Sequence, residues 1–254
     1  MTRLAIIGGS GLTSLAHLEI TKREVSRTPY GELSGPLIYG NLNGQEVVFL
    51  ARHGYAHTIP PHLVNYRANL WALKEAGISH IIAVAAVGGI PEKFVPTSIV
   101  FPDQIIDYTY SRAHTIFDED HLTVTHIDFT EPYCEELRTV LIDAATRADI
   151  AVIPEATYAA TQGPRFETAA EIDRLERDGA HVVGMTGMPE TVLARELGLC
   201  YATIAVVANA AAGRGAAKLD ITTIEETLEQ GMCRVRGLLG MAIPIAVDSL
   251  GLKG

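Results

Sequence analysis

Residues able to do chemistry stand at the ends of apolar runs in this chain. The run Val47 to Ala51 has the pattern of a buried strand and delivers Arg52 and His53, with Gly54, Tyr55 and His57 close behind. An arginine in that position is costly unless it meets something anionic, because the guanidinium cannot shed its charge. Two partners would satisfy it, a phosphate or a neighbouring carboxylate. A second run, Leu4 to Ile7, ends in Gly8-Gly9-Ser10-Gly11, where glycines permit close backbone approach to an anion and Ser10 adds a hydroxyl and an amide. The turn lacks both the third glycine of a dinucleotide fingerprint and the Gly-Lys-Ser/Thr ending of a P-loop. A third run, Ile78 to Val87, stops at Gly88-Gly89. The amides near Ala85 and Ala86 then either join the same anion site or simply end a strand.

The same logic picks out three more places. Val182 and Val183 lead into Gly184-Met185-Thr186-Gly187-Met188-Pro189, and the apolar run Leu199 to Ala208 ends on Asn209. In an open α/β sheet, ligands sit outside the carboxyl ends of the strands, so Met185, Thr186 and Asn209 are ligand candidates, against the plainer roles of core packing and turn capping. Thr161 to Thr168 contains a Gly-Pro turn that sets Phe166 beside Glu167. Here the competing roles are core packing for the ring and a first-turn helix acid for the carboxylate.

The elements that must position these groups alternate between strand and helix. Helical patterns cover Val64 to Ala76, with Gly77 in the position after the cap, Glu135 to Ala148, Ala169 to Arg177 and Thr191 to Leu197, which Gly198 stops. Pro189 and Glu190 suit the first turn of that last helix. Thr222-Thr223-Ile224-Glu225 resembles a capping box opening a final helix, which Pro244 would end or kink. Tyr108 to Pro132 is polar and holds His114, His121 and His126 with Asp118, Glu119, Asp120 and Asp128. None of these histidines stands at metal-ligand spacing, so the segment is expected to be a long loop on the ligand side.

Length and charge exclude several classes. At 254 residues with no composition break, the chain is expected to form one α/β domain over 1–254 that buries roughly three quarters of its unfolded surface. A net charge of -10 and the absence of any basic run argue against a nucleic-acid partner. No stretch reaches the roughly 18 apolar residues of a membrane span. Cys134, Cys200 and Cys233 are odd in number and widely spaced, matching neither a disulfide framework nor a zinc pattern. They suggest a reducing cytoplasm, with Cys200 a small core residue. The N-terminus shows no signal-peptide pattern, which points the same way.

Several separated strings now combine. Gly8-Gly9-Ser10-Gly11, Arg52-His53-Gly54, Asn65-Tyr66-Arg67-Ala68-Asn69, Gly163-Pro164-Arg165-Phe166-Glu167 and Met185-Thr186-Gly187-Met188-Pro189-Glu190 resemble, in that order, trimeric purine nucleoside phosphorylases and methylthioadenosine phosphorylases. The resemblance implies a single-domain α/β fold with a central mixed, partly barrel-like β-sheet surrounded by helices, a homotrimer, and reversible phosphorolysis of a purine nucleoside with inorganic phosphate as co-substrate. It implies no metal and no cofactor. Carried over by motif, Ser10, Arg52, His53, the backbone at Ala85 and Ala86, and Thr186 would bind phosphate. Met185 and Phe166 would pack on ribose and base, while Glu167 and Asn209, with Ala210 and Ala211 beside them, would meet the purine. Asn209, Glu167 and His53 would carry the catalysis. His57 would lie near the sugar, and His126 would reach into a neighbouring subunit's 5′ pocket. Where methylthioadenosine phosphorylases have a threonine, this chain has Ala85 and offers only its backbone.

Base choice follows from donors and acceptors. Hypoxanthine has a proton on N1 and an acceptor at C6, which suit the Glu167 carboxylate and the Asn209 amide; adenine reverses both groups and would leave polar groups unpaired. The adenine-specific branch carries Asp and Ser at the Asn209 and Glu167 positions. Ordinary purine nucleoside phosphorylases place a histidine near the start of the last helix for the 5′-hydroxyl, and by spacing to Leu228 that position is Ile224 here. A 6-oxopurine with an apolar 5′ group describes 5′-methylthioinosine, and the strings around Met185 and Ala85 resemble bacterial methylthioinosine phosphorylases. A general inosine and guanosine phosphorylase is the alternative, with methylthioadenosine phosphorolysis behind it.

Overall fold

Strand β1 (Leu4–Gly8) shows how the core is built. Leu4 and Ile6 face one apolar cluster while Ala5 and Ile7 face another, and all are fully buried. A strand covered on both faces needs an unbroken apolar run, which is what the sequence supplies. The computed structural model describes residues 3–15, 18–117, 124–215 and 220–252. His121, Asp118, Glu119 and Asp120 of the polar loop lie outside the described residues.

The described strands form one mixed sheet. Its main path runs β2 (Glu19–Glu24), β3 (Leu37–Leu42), β4 (Gln45–Ala51), β1, β5 (His80–Gly89), β10 (Val182–Gly184), β9 (Thr157–Ala160) and β7 (Gln104–Asp107). A branch leaves β5 through β11 (Cys200–Ala210) to β6 (Ile99–Val100) and β8 (Val152–Ile153). Helices α1 (Tyr66–Glu75) and α4 (Gly187–Glu196) cover one face through Leu70, Leu73, Leu193 and Ala194. Helices α2 (Glu135–Arg147) and α5 (Ile221–Ser249) cover the other through Leu141, Val235 and Leu239. Helix α3 (Ala169–Arg177) packs Ile172 and Leu175 in a smaller cluster. None of the described helices is long and apolar enough to cross a membrane.

The branch at β5 makes the site. One edge of β5 pairs with β11 along its whole length. The other pairs with β1 over His80 to Ala83 and with β10 at Gly88 and Gly89. Val84 to Val87 are therefore left without a ladder partner on that edge, between two strands that diverge. Ala85 and Ala86 lie inside β5, which runs two residues past the expected end at Val87. They belong to a gap in a ladder and not to a strand end.

Three sequence expectations change. Cys134 and Cys200 form a disulfide, and only Cys233 is free and exposed. The start of α2 lies against the start of β11, where the Cys134 amide donates to the Tyr201 carbonyl at 2.8 Å, so residues 66 apart in sequence meet. The last helix is capped by Asp220, whose carboxylate accepts from the Thr223 amide at 3.0 Å, and not by Thr222. Pro244 does not end it: the Gly240 carbonyl that Pro244 cannot serve accepts instead from Asn43 Nδ2 at 3.4 Å, and the helix runs on to Ser249.

Candidate active site

At the gap in the β5 ladder, a cavity of about 450 Å3 opens. Its walls bring together Ser10, Arg52, His53, His57, Ala85, Ala86, Phe166, Glu167, Met185, Thr186, Asn209, Ala211 and Ile224. Ala210 and His126 are not among the lining residues. Ala210 ends β11, where its carbonyl accepts from Asn209, and His126 is exposed in the polar loop.

Arg52 is 1 % exposed and does not wait for an anion. Its Nε and one Nη donate to the two oxygens of Glu190, itself 0 % exposed, at 2.7 and 2.6 Å, while the other Nη donates to the Val84 carbonyl at 2.8 Å. The carboxylate partner considered for Arg52 is thus realised. Three of the five guanidinium N–H groups are engaged and two remain on a side chain that lines the cavity. Burial is the largest influence on the Arg52 pKa and works to lower it, but the charge and the hydrogen bonds of Glu190 together outweigh it and raise the value, so the guanidinium stays charged. Tyr201 donates to the same Glu190 oxygen at 2.7 Å. Glu190 is therefore more than the helix first-turn acid read from sequence: it holds Arg52 in place from α4.

The glycine turn after β1 serves this arrangement. A Cβ on Gly9 would stand 2.5 Å from the Val84 carbonyl oxygen and 2.7 Å from an Arg52 Nη, so any side chain there would displace the arginine or β5. Gly11 has φ +77°. The turn also presents Ser10, whose Oγ lies 3.4 Å from His57 Nε2. His53 Nδ1 is 2.8 Å from the Ile59 carbonyl, which can only accept, so this nitrogen carries the proton and Nε2 is left as an acceptor. Burial first, and then the Arg52 charge, push the His53 pKa down to about 4, so the ring is neutral near pH 7. Burial also lowers His57.

Glu167 and Asn209 are set by different devices. Thr168 caps α3 in a capping box with Glu171, so Glu167 precedes the helix and is not its first-turn acid. Thr161 Oγ1 donates to Glu167 Oε1 at 2.7 Å, leaving the second oxygen of the carboxylate for another donor. Gly163, at φ +61°, makes room for Met185, whose sulfur would sit 2.5 Å from a Cβ there. Asn209 follows a β-bulge: Val207 pairs with Val87 but Asn209 with Gly88, so Ala208 is the extra residue. A bulge redirects the side chains after it, and this one delivers Asn209 to the cavity wall. Asn209 Nδ2 donates to the Ala210 carbonyl at 2.7 Å, and its second N–H and its Oδ1 stay available. The wall also carries an apolar set, Pro60, Pro61, Ile221, Ile224 and Leu228, with Thr58 and Glu225 as further polar groups.

Sequence reasoning missed Arg112, which donates to both loops that hold the site, and Thr161, which holds Glu167. No local pattern marks either: the partners of Arg112 lie 49 to 76 residues on in sequence, and the Thr161–Glu167 bond is made across the Gly163-Pro164 turn.

Residues 3–243 match the family described as the Phosphorylase superfamily. A Pseudomonas syringae pv. tomato protein named "Probable S-methyl-5'-thioinosine phosphorylase" is 51% identical over 96% of this chain and 99% of its own. The Pyrococcus furiosus "6-oxopurine nucleoside phosphorylase" is 46% identical over 96% and 93%. Among solved structures, the methylthioadenosine phosphorylase from Schistosoma mansoni in complex with adenine superposes with a TM-score of 0.93 at 33% identity, covering 100% of this chain and 93% of that one. The chain belongs to the Phosphorylase superfamily.

Proposed function

We propose that this enzyme transfers the pentosyl group of S-methyl-5′-thioinosine to inorganic phosphate, reversibly, giving hypoxanthine and S-methyl-5-thioribose 1-phosphate, as a step of purine salvage. One observation carries the reading. A single cavity is walled by the Glu167 carboxylate and the Asn209 amide, by Ser10, Arg52 and Thr186, and by the aliphatic side chains of Ile221, Ile224 and Leu228. The three groups match a 6-oxopurine, an anion and an apolar 5′ substituent.

In the proposed reaction a phosphate oxygen forms a bond to C1′ as the C1′–N9 bond breaks. The purine leaves with the electron pair and takes up a proton, balanced by the one that phosphate gives up as it becomes the sugar ester. Arg52 offers its two unused N–H groups to phosphate, with Thr186, Ser10 and the Val84–Val87 edge of β5 around it. Because Glu190 already balances the Arg52 charge, the anion is gripped by oriented N–H and O–H groups more than by net positive charge. The Asn209 amide donates to N7 of the departing base, which spreads its developing negative charge. Glu167 accepts from N1–H with the oxygen that Thr161 leaves free. His53, neutral near pH 7, positions phosphate through Nε2 when that anion carries a proton. No cofactor and no metal is proposed, phosphate being a co-substrate.

We take residues 1–254 as one domain and the working assembly as a homotrimer, supported by the position of His126, exposed and away from its own cavity, as a residue for a neighbour's 5′ pocket would be. A cytoplasmic location is inferred from the substrates alone, the cysteine argument having lapsed with the Cys134–Cys200 bond. The second reading, a general inosine and guanosine phosphorylase, is favoured by Thr58 and Glu225, polar groups on the same cavity wall. Turnover of methylthioinosine, inosine and methylthioadenosine at equal concentration in phosphate buffer tests the choice. Methylthioinosine is expected to lead; faster turnover of inosine would reject it in favour of the second reading.

A further inference from the structure

The β9–β10 ladder ends where the site begins. Its last pair is Gly184 with Ala160, followed by one more bond from the Thr161 amide to the Gly184 carbonyl at 2.8 Å. Beyond it the two chains part. One continues through Thr161 and Gln162 to Glu167; the other continues through Met185 and Thr186 into α4. Arg112, from the loop after β7, spans that opening. Its Nε donates to Gln162 Oε1 at 3.1 Å, one Nη to the Thr161 and Gln162 carbonyls at 3.3 and 2.7 Å, and the other Nη to the Met185 and Met188 carbonyls at 2.9 and 2.6 Å. A guanidinium has five N–H groups, and all five are used, four on main-chain carbonyls and one on a side-chain amide. Its flat fork also lies over the Tyr66 ring, 5.7 Å from the centroid.

We propose that Arg112 is a positioning residue: a clamp that fixes the spacing between the Glu167 loop and the Met185–Thr186 loop, and so between the purine and the phosphate. This rests on the phosphorolytic reading of the site for its effect on turnover, though not for the clamp itself. Lysine cannot replace the arginine. Three N–H groups on one tetrahedral nitrogen cannot serve five acceptors spread over two loops, so at least two of the acceptors would lose their Arg112 bond, one of them a main-chain carbonyl.

The test uses the full-length enzyme with Arg112→Lys and Arg112→Gln. Displacement of a positioned group by about 1 Å costs about 100-fold in rate, so kcat/KM for the nucleoside should fall by about 100-fold in both variants. The KM for phosphate should rise in parallel, and the preference for 6-oxopurines over 6-aminopurines should narrow. A merely structural arginine would lower Tm and leave both KM values and the base preference unchanged, which would overturn the proposal. Amide hydrogen exchange without substrate gives an arm that does not depend on activity: faster exchange in residues 162–168 and 185–190 together is expected in both variants. Wild-type rates in those two segments would refute the clamp. If the wild-type enzyme proved inactive on every purine nucleoside, the functional reading would fall, while the exchange measurement would still decide the role of Arg112.

Discussion

Replacing Ile224 with histidine should turn a methylthioinosine enzyme toward inosine, and the size of the change can be worked out. Ile224 lies in the first turn of α5, its amide bonded to the Asp220 carbonyl at 3.0 Å, with Leu228 one turn on and both lining the cavity. Against that wall, the terminal methyl of a methylthio group gains about 0.8 kcal/mol by burial. A 5′-hydroxyl in the same place leaves a polar group unpaired, at about 1–3 kcal/mol. The sum, about 1.8–3.8 kcal/mol, corresponds to a kcat/KM preference for methylthioinosine over inosine of about 20- to 500-fold, at about 1.4 kcal/mol per decade. In Ile224→His the imidazole can pair with the hydroxyl, so the hydroxyl share of the discrimination, about 5- to 150-fold, should disappear. Isoleucine and histidine differ little in helix propensity, so the fold should be retained. The assay is hypoxanthine release from each nucleoside by wild type and variant at saturating phosphate. An unchanged ratio in a folded variant would mean that Ile224 does not meet the 5′ end, and the substrate assignment would lose its main support.

Asn209→Asp should shift preference toward 6-aminopurines while lowering activity on 6-oxopurines, because a carboxylate accepts where the amide donates; unaltered base selectivity in a substrate panel would count against the contact. The His53 pKa near 4 has a consequence for stability. Between about 4 and its ordinary value of 6.5, the unfolded chain carries a proton at His53 that the folded chain excludes, so this residue makes stability rise with pH across that window and fall again toward pH 4. An NMR titration of the His53 ring with a midpoint above 6 would refute this. Reducing the Cys134–Cys200 bond, which spans 66 residues, should cost about 4 kcal/mol by loop-closure entropy, lowering Tm by about 8–16 °C. Equal melting curves with and without reductant, once thiol titration shows full reduction, would contradict it.

What could be read in the sequence was local. Helix α3 has the expected bounds, because Thr168 and Glu171 form its cap and Gly179 follows at φ +90°. Gly77 and Gly198 mark the ends of α1 and α4 for the same reason, at φ +82° and +65°. Strand β2, Glu-Ile-Thr-Lys-Arg-Glu, carries no apolar alternation because it is an exposed edge strand, guarded by charge. Ser10, Arg52, His53, Met185 and Thr186 could be named because each follows a strand end, Asn209 because an apolar run stops there, and Ala85, Ala86 and Ile224 because the motifs carried them. Their support could not. Glu190 behind Arg52, Arg112 across two loops and Cys134 against Cys200 are pairings between distant segments, set by the topology of the sheet, while the Thr161–Glu167 bond depends on how a local loop folds back.

The central claim is that phosphate, held in the gap of the β5 ladder, attacks the sugar as the 6-oxopurine leaves. 31P NMR of the wild-type enzyme with methylthioinosine and inorganic phosphate tests it most directly. A new phosphomonoester resonance should grow in step with hypoxanthine, and neither should form when phosphate is omitted. Hypoxanthine released at the same rate in phosphate-free buffer, with free methylthioribose as the only sugar product, would contradict the account.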